Sequence, residues 1–320
     1  MKIAYFTEMN FIGRIPRNYN NMRVEFAWMC ALQADCFPLE YIPNTVYDLT
    51  IISIPKLNPE KEINLINRMG EGYIKRIKKF SKKVAIIQEG PHWFYQDYSI
   101  NDQIWYFNLI SQADILFVHN KIDKTYFQGL LPNQDIRVFP TLIIDDSLNQ
   151  IKLKNNLNRK GVIVGGGFNY WYNGFDSYII AQELGDIVYV VPMRKKENEE
   201  YLPNISHLPY LPWIEWMEKL NNFKYAVHLM RTHAAGTFAL NCAYLGIPCI
   251  GYEGLDTQEV CHPDTTVKLG DLKKAREIAK ELRNNEEFYI YCSKLTKEKY
   301  LENYHENIFN TTFKKQFEIP

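Results

Sequence analysis

The sequence has no net charge and no segment that would direct it into a membrane. Lysine plus arginine and aspartate plus glutamate number 37 each among its 320 residues. No apolar run reaches the length of a membrane span, and the opening stretch MKIAYFTEMN is too short and too polar for a signal peptide. We therefore expect a cytoplasmic protein with no integral membrane segment, whose overall charge attracts neither nucleic acid nor anionic lipid.

The cysteines and histidines show no metal-binding pattern. The six cysteines form no CxxC pair, and the seven histidines lack zinc spacing. In the cytoplasm these cysteines stay reduced, and we expect them to fill the core. The sequence also lacks the GxGxxG spacing of a dinucleotide site and the GKT or GKS of a P-loop. We predict no metal and no bound cofactor.

Short apolar runs alternate with longer amphipathic ones along most of the chain. KIAYF, YDLTIISI, VAIIQ and DILFVH are typical of strands, and helical patterns separate them. After a polar connection, a second series begins at GVIVGG and continues through DIVYVVP, KYAVHLM and PCIGY. The alternation predicts an α/β chain with parallel sheets. We assign residues 1–145 to a first Rossmann-like domain, 146–295 to a second, and 296–320 to a C-terminal helix.

Two loops of the first domain follow predicted strands, where open α/β sheets bind ligands. In the first loop, Gly13 would let the backbone pass close to a ligand, and Arg14 could meet a phosphate. The second loop, QEGPHWFYQD, contains Glu89 and His92 as candidates for acid–base or substrate-orienting work. A solvated loop and a packed histidine are the plain alternatives.

The same second loop is rich in aromatic residues. Trp93 and Tyr95 could stack on a sugar or on a nucleic-acid base.

In the second domain, Gly167 and Asn173 lie between a strand and the predicted start of a helix, where the backbone can approach a ligand. Arg194 follows the next strand. A plain turn is the alternative for the glycine-rich segment.

The stretch RTHAAGTFALN places a charged residue and small residues between a strand and a helix. Arg231 and His233 precede the helix, and Gly236 and Thr237 lie where it should begin. Helix N-termini attract phosphate through unpaired N–H groups and the helix dipole. A tightly packed crossover would need small residues too, but it would not need Arg231 and His233 at the same place.

Four segments together resemble a known enzyme family. The segments are RTHAAGTFALNCAYLGIP, LDTQEV, VGGGFNYWYNG and DILFVHNKIDKTYF. They are similar to motifs of GT-B glycosyltransferases of the retaining type, whose signature is two glutamates separated by seven residues. The resemblance implies two Rossmann-like domains facing across a cleft, with C-terminal helices crossing back to the first. It also implies an acceptor in the first domain and a nucleotide-diphosphate sugar, most commonly a UDP sugar, in the second.

The sequence departs from the family at the charged positions. The two family glutamates correspond to His233 and Asn241, and the family lysine corresponds to Asn173. Asn241 can still bind a ribose hydroxyl, and Glu259 supplies a carboxylate nearby. The diphosphate would then be held by cations and by the turn at Gly236.

The resemblance predicts a hexosyltransferase that needs no metal and retains the anomeric configuration. Glu89, His92 and Arg231 are its predicted catalytic residues, and Arg194 would help to hold the diphosphate. The acceptor is either a glycan or a hydroxymethylated DNA base, as for some phage GT-B enzymes. A catalytically inactive nucleotide-binding module, a two-lobed solute-binding protein and, more weakly, a nucleotide-sugar epimerase are the alternatives.

Overall fold

The computed structural model describes residues 1–54, 68–88, 90–191 and 195–317. The chain folds into two compact units. The first unit comprises Met1–Arg17, Glu25–Pro140 and the C-terminal residues from Phe313, and the second comprises Asn18–Val24 and Thr141–Thr312. Each unit contains a parallel sheet with flanking helices, so the predicted fold class is confirmed. The boundaries at residues 145 and 295 stay a prediction.

The first unit is built on a parallel sheet of six strands. Its elements are β1 (Ile3–Thr7), α1 (Val24–Ala31), β2 (Asp35–Pro38), β3 (Tyr47–Ile54), α2 (Tyr73–Ile77), β4 (Ser81–Gln88), α3 (Ile100–Ser111), β5 (Ile115–Val118), α4 (Lys121–Leu130) and β6 (Asp135–Val138). The strand order is β2-β1-β3-β4-β5-β6. The order reverses between β1 and β3, and β2 lies at one edge.

Continuous apolar runs form these strands because a parallel sheet is covered on both faces. In β3, every residue except Asp48 is buried. The helices begin at polar caps, because the first N–H groups of a helix need acceptors. The side chain of Ser99 accepts from the backbone N–H of Asp102 before α3, and that of Asn120 accepts from Asp123 before α4.

The second unit is built on another six-stranded parallel sheet. Its elements are β7 (Val162–Val164), α5 (Gly174–Ala181), β8 (Val188–Val190), β9 (Ile205–His207), α6 (Trp213–Leu220), β10 (Tyr225–His228), α7 (Thr237–Leu245), β11 (Cys249–Tyr252), α8 (Asp256–Cys261), β12 (Thr266–Val267), α9 (Leu272–Asn284), α10 (Glu286–Asn303) and α11 (Glu306–Gln316). The strand order is β12-β11-β10-β7-β8-β9. The order reverses between β7 and β10, which makes this pair the topological switch point of the second sheet.

Strand alternation gives the second sheet two different faces. On one face, Val164 and Val227 join a core cluster with residues of α5 and α9. On the other face, the strands end in small residues that helices approach closely. A Cβ on Gly165 would lie 2.4 Å from the ring of Phe238 in α7, and a Cβ on Gly251 would lie 2.5 Å from the side chain of Gln258 in α8. Glycine at both places therefore lets these helices pack against the sheet.

The C-terminal helix returns to the first unit, as predicted. The rings of Phe313 and Phe139 are 6.0 Å apart, and those of Phe317 and Phe117 are 6.3 Å apart. The guanidinium of Arg137 donates to the carbonyl of Gln316 (2.7 Å). No helix in the described part of the chain is long and apolar enough to cross a bilayer. All six cysteines are buried, as expected for core residues.

Candidate functional site

The strongest candidate site lies at the carboxyl ends of β7 and β10, where open α/β sheets bind ligands. These strands are neighbours, and Val164 pairs with Val227. Their following loops, residues 165–173 and 229–236, are therefore adjacent, and the backbone N–H of Arg231 donates to the carbonyl of Trp171 (3.2 Å). We call these two loops, together with the first turn of α7, the switch-point edge.

Helix α7 points its N-terminus at this edge. Gly236 is its N-cap, in the left-handed conformation with φ of 69°. The Gly236 carbonyl accepts from the hydroxyl of Thr257 (3.0 Å) and from the N–H of Leu240 (3.1 Å). The N–H groups of the first helical turn, starting at Thr237, have no acceptor within the helix. The switch-point edge thus offers several N–H donors and the positive end of a helix dipole to an anion.

Arg231 adds a full positive charge to the switch-point edge. Its Nη2 lies 3.3 Å from Oδ2 of Asp176 in the first turn of α5, and 40% of its side chain is exposed. Its guanidinium lies 5.4 Å from the ring of Tyr170, which is itself largely exposed. The cation is held in place on one side and open to solvent on the other, so it can reach an anionic ligand.

Asn173 and Gly167 shape the switch-point edge from within. Asn173 has φ of 52° and its Nδ2 donates to Asp176 (2.8 Å) and to the carbonyl of Leu229 (3.0 Å). The N–H of Gly174 donates to the carbonyl of Gly167 (3.1 Å). Both amide hydrogens of Asn173 are used inside the protein. Asn173 therefore ties the two loops together, and its predicted role in nucleotide binding stays a prediction.

The residues at the family glutamate positions differ in accessibility. Asn241 is buried in α7, and in the amide orientation that satisfies both atoms it donates to the carbonyl of Thr237 (3.0 Å) and accepts from Nε1 of Trp216 (3.2 Å). Both contacts of Asn241 lie within the second unit, and its ribose contact stays a prediction. His233 is half-buried at the switch-point edge. Glu259 is exposed, and its Oε1 accepts from the N–H of Gly254 (2.6 Å). Ligand contacts of His233 and Glu259 stay a prediction.

Sequence reasoning missed His228, the last residue of β10. Its ring is buried against Phe238, with the ring centroids 5.0 Å apart, and neither ring nitrogen has a hydrogen-bond partner in the described part of the chain. Burial lowers the pKa of His228 to about 4, so the ring is uncharged at neutral pH. A histidine that ends an apolar strand directly before a predicted ligand loop was the available signal in KYAVHLM.

In the first unit, His92 belongs to a hydrogen-bonded pair that the sequence had not revealed. Nδ1 of His92 lies 2.7 Å from Oδ1 of Asp123, which is almost completely buried. Oδ2 of Asp123 accepts from Nδ2 of Asn120 (2.9 Å), and the ring of Tyr126 lies 4.3 Å from that of His92. Asp123 fixes the orientation of the imidazole and leaves Nε2 for other contacts. The loops meet because β4 and β5 are neighbouring strands.

Gly13 and Arg14 lie away from the carboxyl end of the first sheet. The loop after β1 runs back along the edge strand β2, where Gly13 and Cys36 exchange two backbone hydrogen bonds (3.1 and 2.8 Å). Arg14 then pairs with Asp35 at the beginning of β2 (2.8 Å). An edge strand has unpaired backbone groups that attract a passing loop. The donor-binding role of Gly13 and Arg14 stays a prediction.

The predicted aromatic stacking residues have different positions. Tyr95 is 3% exposed and its ring stacks on that of Tyr106 at 4.0 Å, within the core of the first unit. This packing is the plain alternative to stacking on an acceptor, and the acceptor role of Tyr95 stays a prediction. Trp93 is half-buried, and its stacking role stays a prediction. Glu89 and Arg194 lie outside the described residues.

Metal-ligating side chains do not cluster in the part of the chain that the structure describes. Within residues 1–54, 68–88, 90–191 and 195–317, no three His, Cys, Asp or Glu side chains come together as metal ligands. Arg231 at the switch-point edge pairs with Asp176 in the first turn of α5. Any anion bound there meets Arg231 and the α7 N-terminus first.

No protein-family model matches the chain, and no curated protein matches it. Solved structures do match over nearly its whole length. Anabaena Alr3699/HepE, in a crystal structure with UDP and glucose, has a TM-score of 0.66 at 10% identity, covering 99% of both chains. Sucrose-phosphate synthase (tll1590) from Thermosynechococcus elongatus has a TM-score of 0.65 at 11% identity, covering 99% of this chain and 98% of its own.

A third similar structure carries a nucleotide sugar. It is trehalose-6-phosphate from E. coli bound with UDP-2-fluoro glucose, with a TM-score of 0.60 at 9% identity, covering 85% of this chain and 73% of its own. Identities this low establish the fold alone. Together with the two parallel six-stranded sheets and the returning C-terminal helix, they show that this chain has the GT-B fold.

Proposed function

We propose that this protein is a glycosyltransferase that moves a hexose from a nucleotide-diphosphate sugar to an acceptor hydroxyl. The observation that carries the proposal is the switch-point edge of the second unit. There an open helix N-terminus at Gly236 and the half-exposed Arg231 meet at the place where a GT-B fold would hold a diphosphate. A crossover packed only for stability would need the glycine but not the cation.

The donor binds the second unit in this proposal. Transfer breaks the bond between the anomeric carbon and the diphosphate oxygen, and the electron pair leaves with the diphosphate. Arg231 and the N–H groups of α7 stabilise that growing negative charge, which is the largest expected electrostatic contribution to such a reaction. These groups can do so without a metal ion, so we expect turnover in the presence of a chelator. UDP is the expected nucleotide, since two of the similar structures contain UDP or a UDP sugar.

The acceptor binds the first unit. Its hydroxyl oxygen forms the new bond to the anomeric carbon, and its proton leaves to a base. His92 is the proposed base, because its Nδ1 contact with Asp123 orients the ring so that Nε2 can accept the proton, and the carboxylate stabilises the imidazolium formed after proton transfer. The family resemblance implies retention, whereas a positioned base also suits a single inverting displacement. The anomeric proton coupling of the product distinguishes the two.

The acceptor is a glycan or a hydroxymethylated DNA base. Trp93, next to His92, offers an aromatic face that suits either one. Binding to duplex DNA at low and moderate salt separates them, because phosphate contacts weaken steeply with salt. A salt-dependent gel shift supports the DNA acceptor, and its absence together with transfer to a glycan supports the other.

The first experiment is thermal unfolding with UDP, GDP, ADP, CDP and TDP and their common sugar conjugates, followed by a donor-hydrolysis assay. A ligand that binds only the folded state raises the melting temperature. Arg231→Gln should remove most of the shift caused by the best nucleotide. Arg276→Gln is the matched control, because Arg276, on helix α9, is similarly exposed and pairs with Glu183 (2.9 Å).

The outcomes separate three cases. Stabilisation that depends on Arg231, with release of the sugar, supports the transferase. Stabilisation without hydrolysis or transfer supports an inactive nucleotide-binding module, a case favoured by the internal hydrogen bonds of Asn241 at a family glutamate position. If no nucleotide stabilises the protein, the proposed function is refuted.

A further inference from the structure

The buried ring of His228 lies directly before the second loop of the switch-point edge. It is the last residue of β10, directly beside the carboxyl end of β7 at the point where the strand order reverses. Its neighbours in the sheet are Gly165 on one side and Gly251 on the other. The imidazole is thus the one large polar side chain in this row of three strand ends, 7% exposed and covered by Phe238 of α7.

Both ring nitrogens of His228 lack a partner within the described residues. A buried donor or acceptor without a partner destabilises the folded protein, so almost all such groups are paired. His262 provides the comparison in the same unit. It is also buried, but its Nε2 contacts the carbonyl of Ala239 (2.9 Å) and its Nδ1 contacts the hydroxyl of Thr296 (2.8 Å). The unpaired state of His228 is therefore a property of its place, not of buried histidines in general.

We propose that His228 is a ligand-positioning residue that hydrogen-bonds a hydroxyl group of the bound nucleotide sugar. This inference rests on the proposed function. A neutral imidazole has one N–H donor and one acceptor nitrogen, and a hydroxyl can serve as partner to either. A diphosphate only accepts, and it is already matched by Arg231 and the N–H groups of α7. The contact would hold the sugar or the ribose beside the N-terminus of α7 while the diphosphate occupies it.

The variants His228→Leu and His228→Gln test the contact. Leucine removes both nitrogens at similar volume, whereas glutamine keeps a donor and an acceptor. We expect His228→Leu to weaken binding of UDP-glucose about tenfold, the effect of one lost hydrogen bond to a ligand, and His228→Gln to recover part of it. The melting temperature of ligand-free His228→Leu should equal or exceed that of the wild type, because unpaired buried nitrogens are removed.

Three ligands identify the source of the hydroxyl. Weakened binding of UDP-glucose alone assigns it to the hexose, and weakened binding of both UDP and UDP-glucose assigns it to the ribose. Inorganic pyrophosphate should bind both proteins equally. Equal weakening for pyrophosphate, or no weakening for any of the three ligands, overturns the inference.

Ring ¹⁵N resonances provide a readout that a purely structural role would not move. UDP-glucose should shift the ring nitrogens of His228, assigned from their loss in His228→Leu, and leave those of the fully partnered His262 in place. If UDP-glucose stabilises the wild type but the His228 signals do not move, this inference fails and the proposed function stands. If UDP-glucose neither stabilises the wild type nor moves any histidine signal, both fail.

Discussion

Acid should destabilise the second unit through two buried histidines. Burial lowers the pKa of His228 and of His262 from the ordinary 6.5 to about 4. Between these values the unfolded chain binds a proton at each histidine and the folded chain does not. Stability is therefore complete above pH 6.5 and falls as the pH decreases through this window, since protons favour the state that binds more of them.

The magnitude follows from the two pKa values of each ring. At about pH 5 the unfolded histidine is almost fully protonated and the folded one is almost fully neutral. The resulting loss is about 2 kcal/mol for each histidine relative to pH 7.5, or about 4 kcal/mol for the pair. Losses of this size are a large part of the stability of an ordinary domain.

The test is hydrogen exchange in increasing urea, read by mass spectrometry in peptides that contain β10 and corrected for the intrinsic exchange rate at each pH. This readout reports the opening reactions that expose β10, which lies in the second unit. His228→Leu should reduce the loss between pH 7.5 and pH 5 by about 2 kcal/mol. His262 should account for a loss of stability of about the same size. If the variant shows the same loss as the wild type, then the ring of His228 is not held neutral by burial, and the reasoning is refuted.

Two further predictions concern single residues. Asp123→Asn should lower kcat about 10- to 100-fold with little change in nucleotide affinity, because His92 loses the carboxylate that orients it and stabilises its charge. Steady-state kinetics and nucleotide titration measure the two effects. An unchanged kcat would remove the pair from the mechanism. Gly236→Ala should destabilise the protein by about 1–3 kcal/mol, because alanine is strained at φ of 69° and its Cβ would lie 2.0 Å from the Thr257 hydroxyl. Urea unfolding measures the loss, and Thr257→Ala in the same chain should recover only the part due to the contact.

Many features of the fold could be predicted from local patterns. Buried parallel strands need continuous apolar runs, and the connections between them need amphipathic helices, so the alternation in the sequence is enough to indicate two α/β units. Gly236 and Arg231 could be found in the same way, because a strand end, a small-residue turn and a helix start are consecutive in the chain. Gly236 and Arg231 lie close together because only a few residues separate them in the sequence.

Other features depended on residues that are far apart in the sequence. Arg14 lies in a loop whose glycine and arginine are typical of a phosphate-binding site. Its contact with Asp35 and the pairing of the loop with the edge strand β2 place it at the opposite end of the sheet. Tyr95 is next to plausible site residues, and only its stacking with Tyr106 reveals a core position. Whether a polar residue faces a ligand or the protein depends on which partners the fold brings within hydrogen-bonding distance.

Local sequence patterns are enough to predict the layers, the order of strands and helices along the chain, and the turn at the start of α7. Tertiary contacts specify which strands are neighbours, and hence that β7 and β10 share a switch point and that His92 meets Asp123. They also leave His228 buried without a partner among the described residues. The two kinds of feature differ because propensity and periodicity reflect interactions over a few residues. Strand pairing and side-chain contacts join residues that are far apart in the sequence.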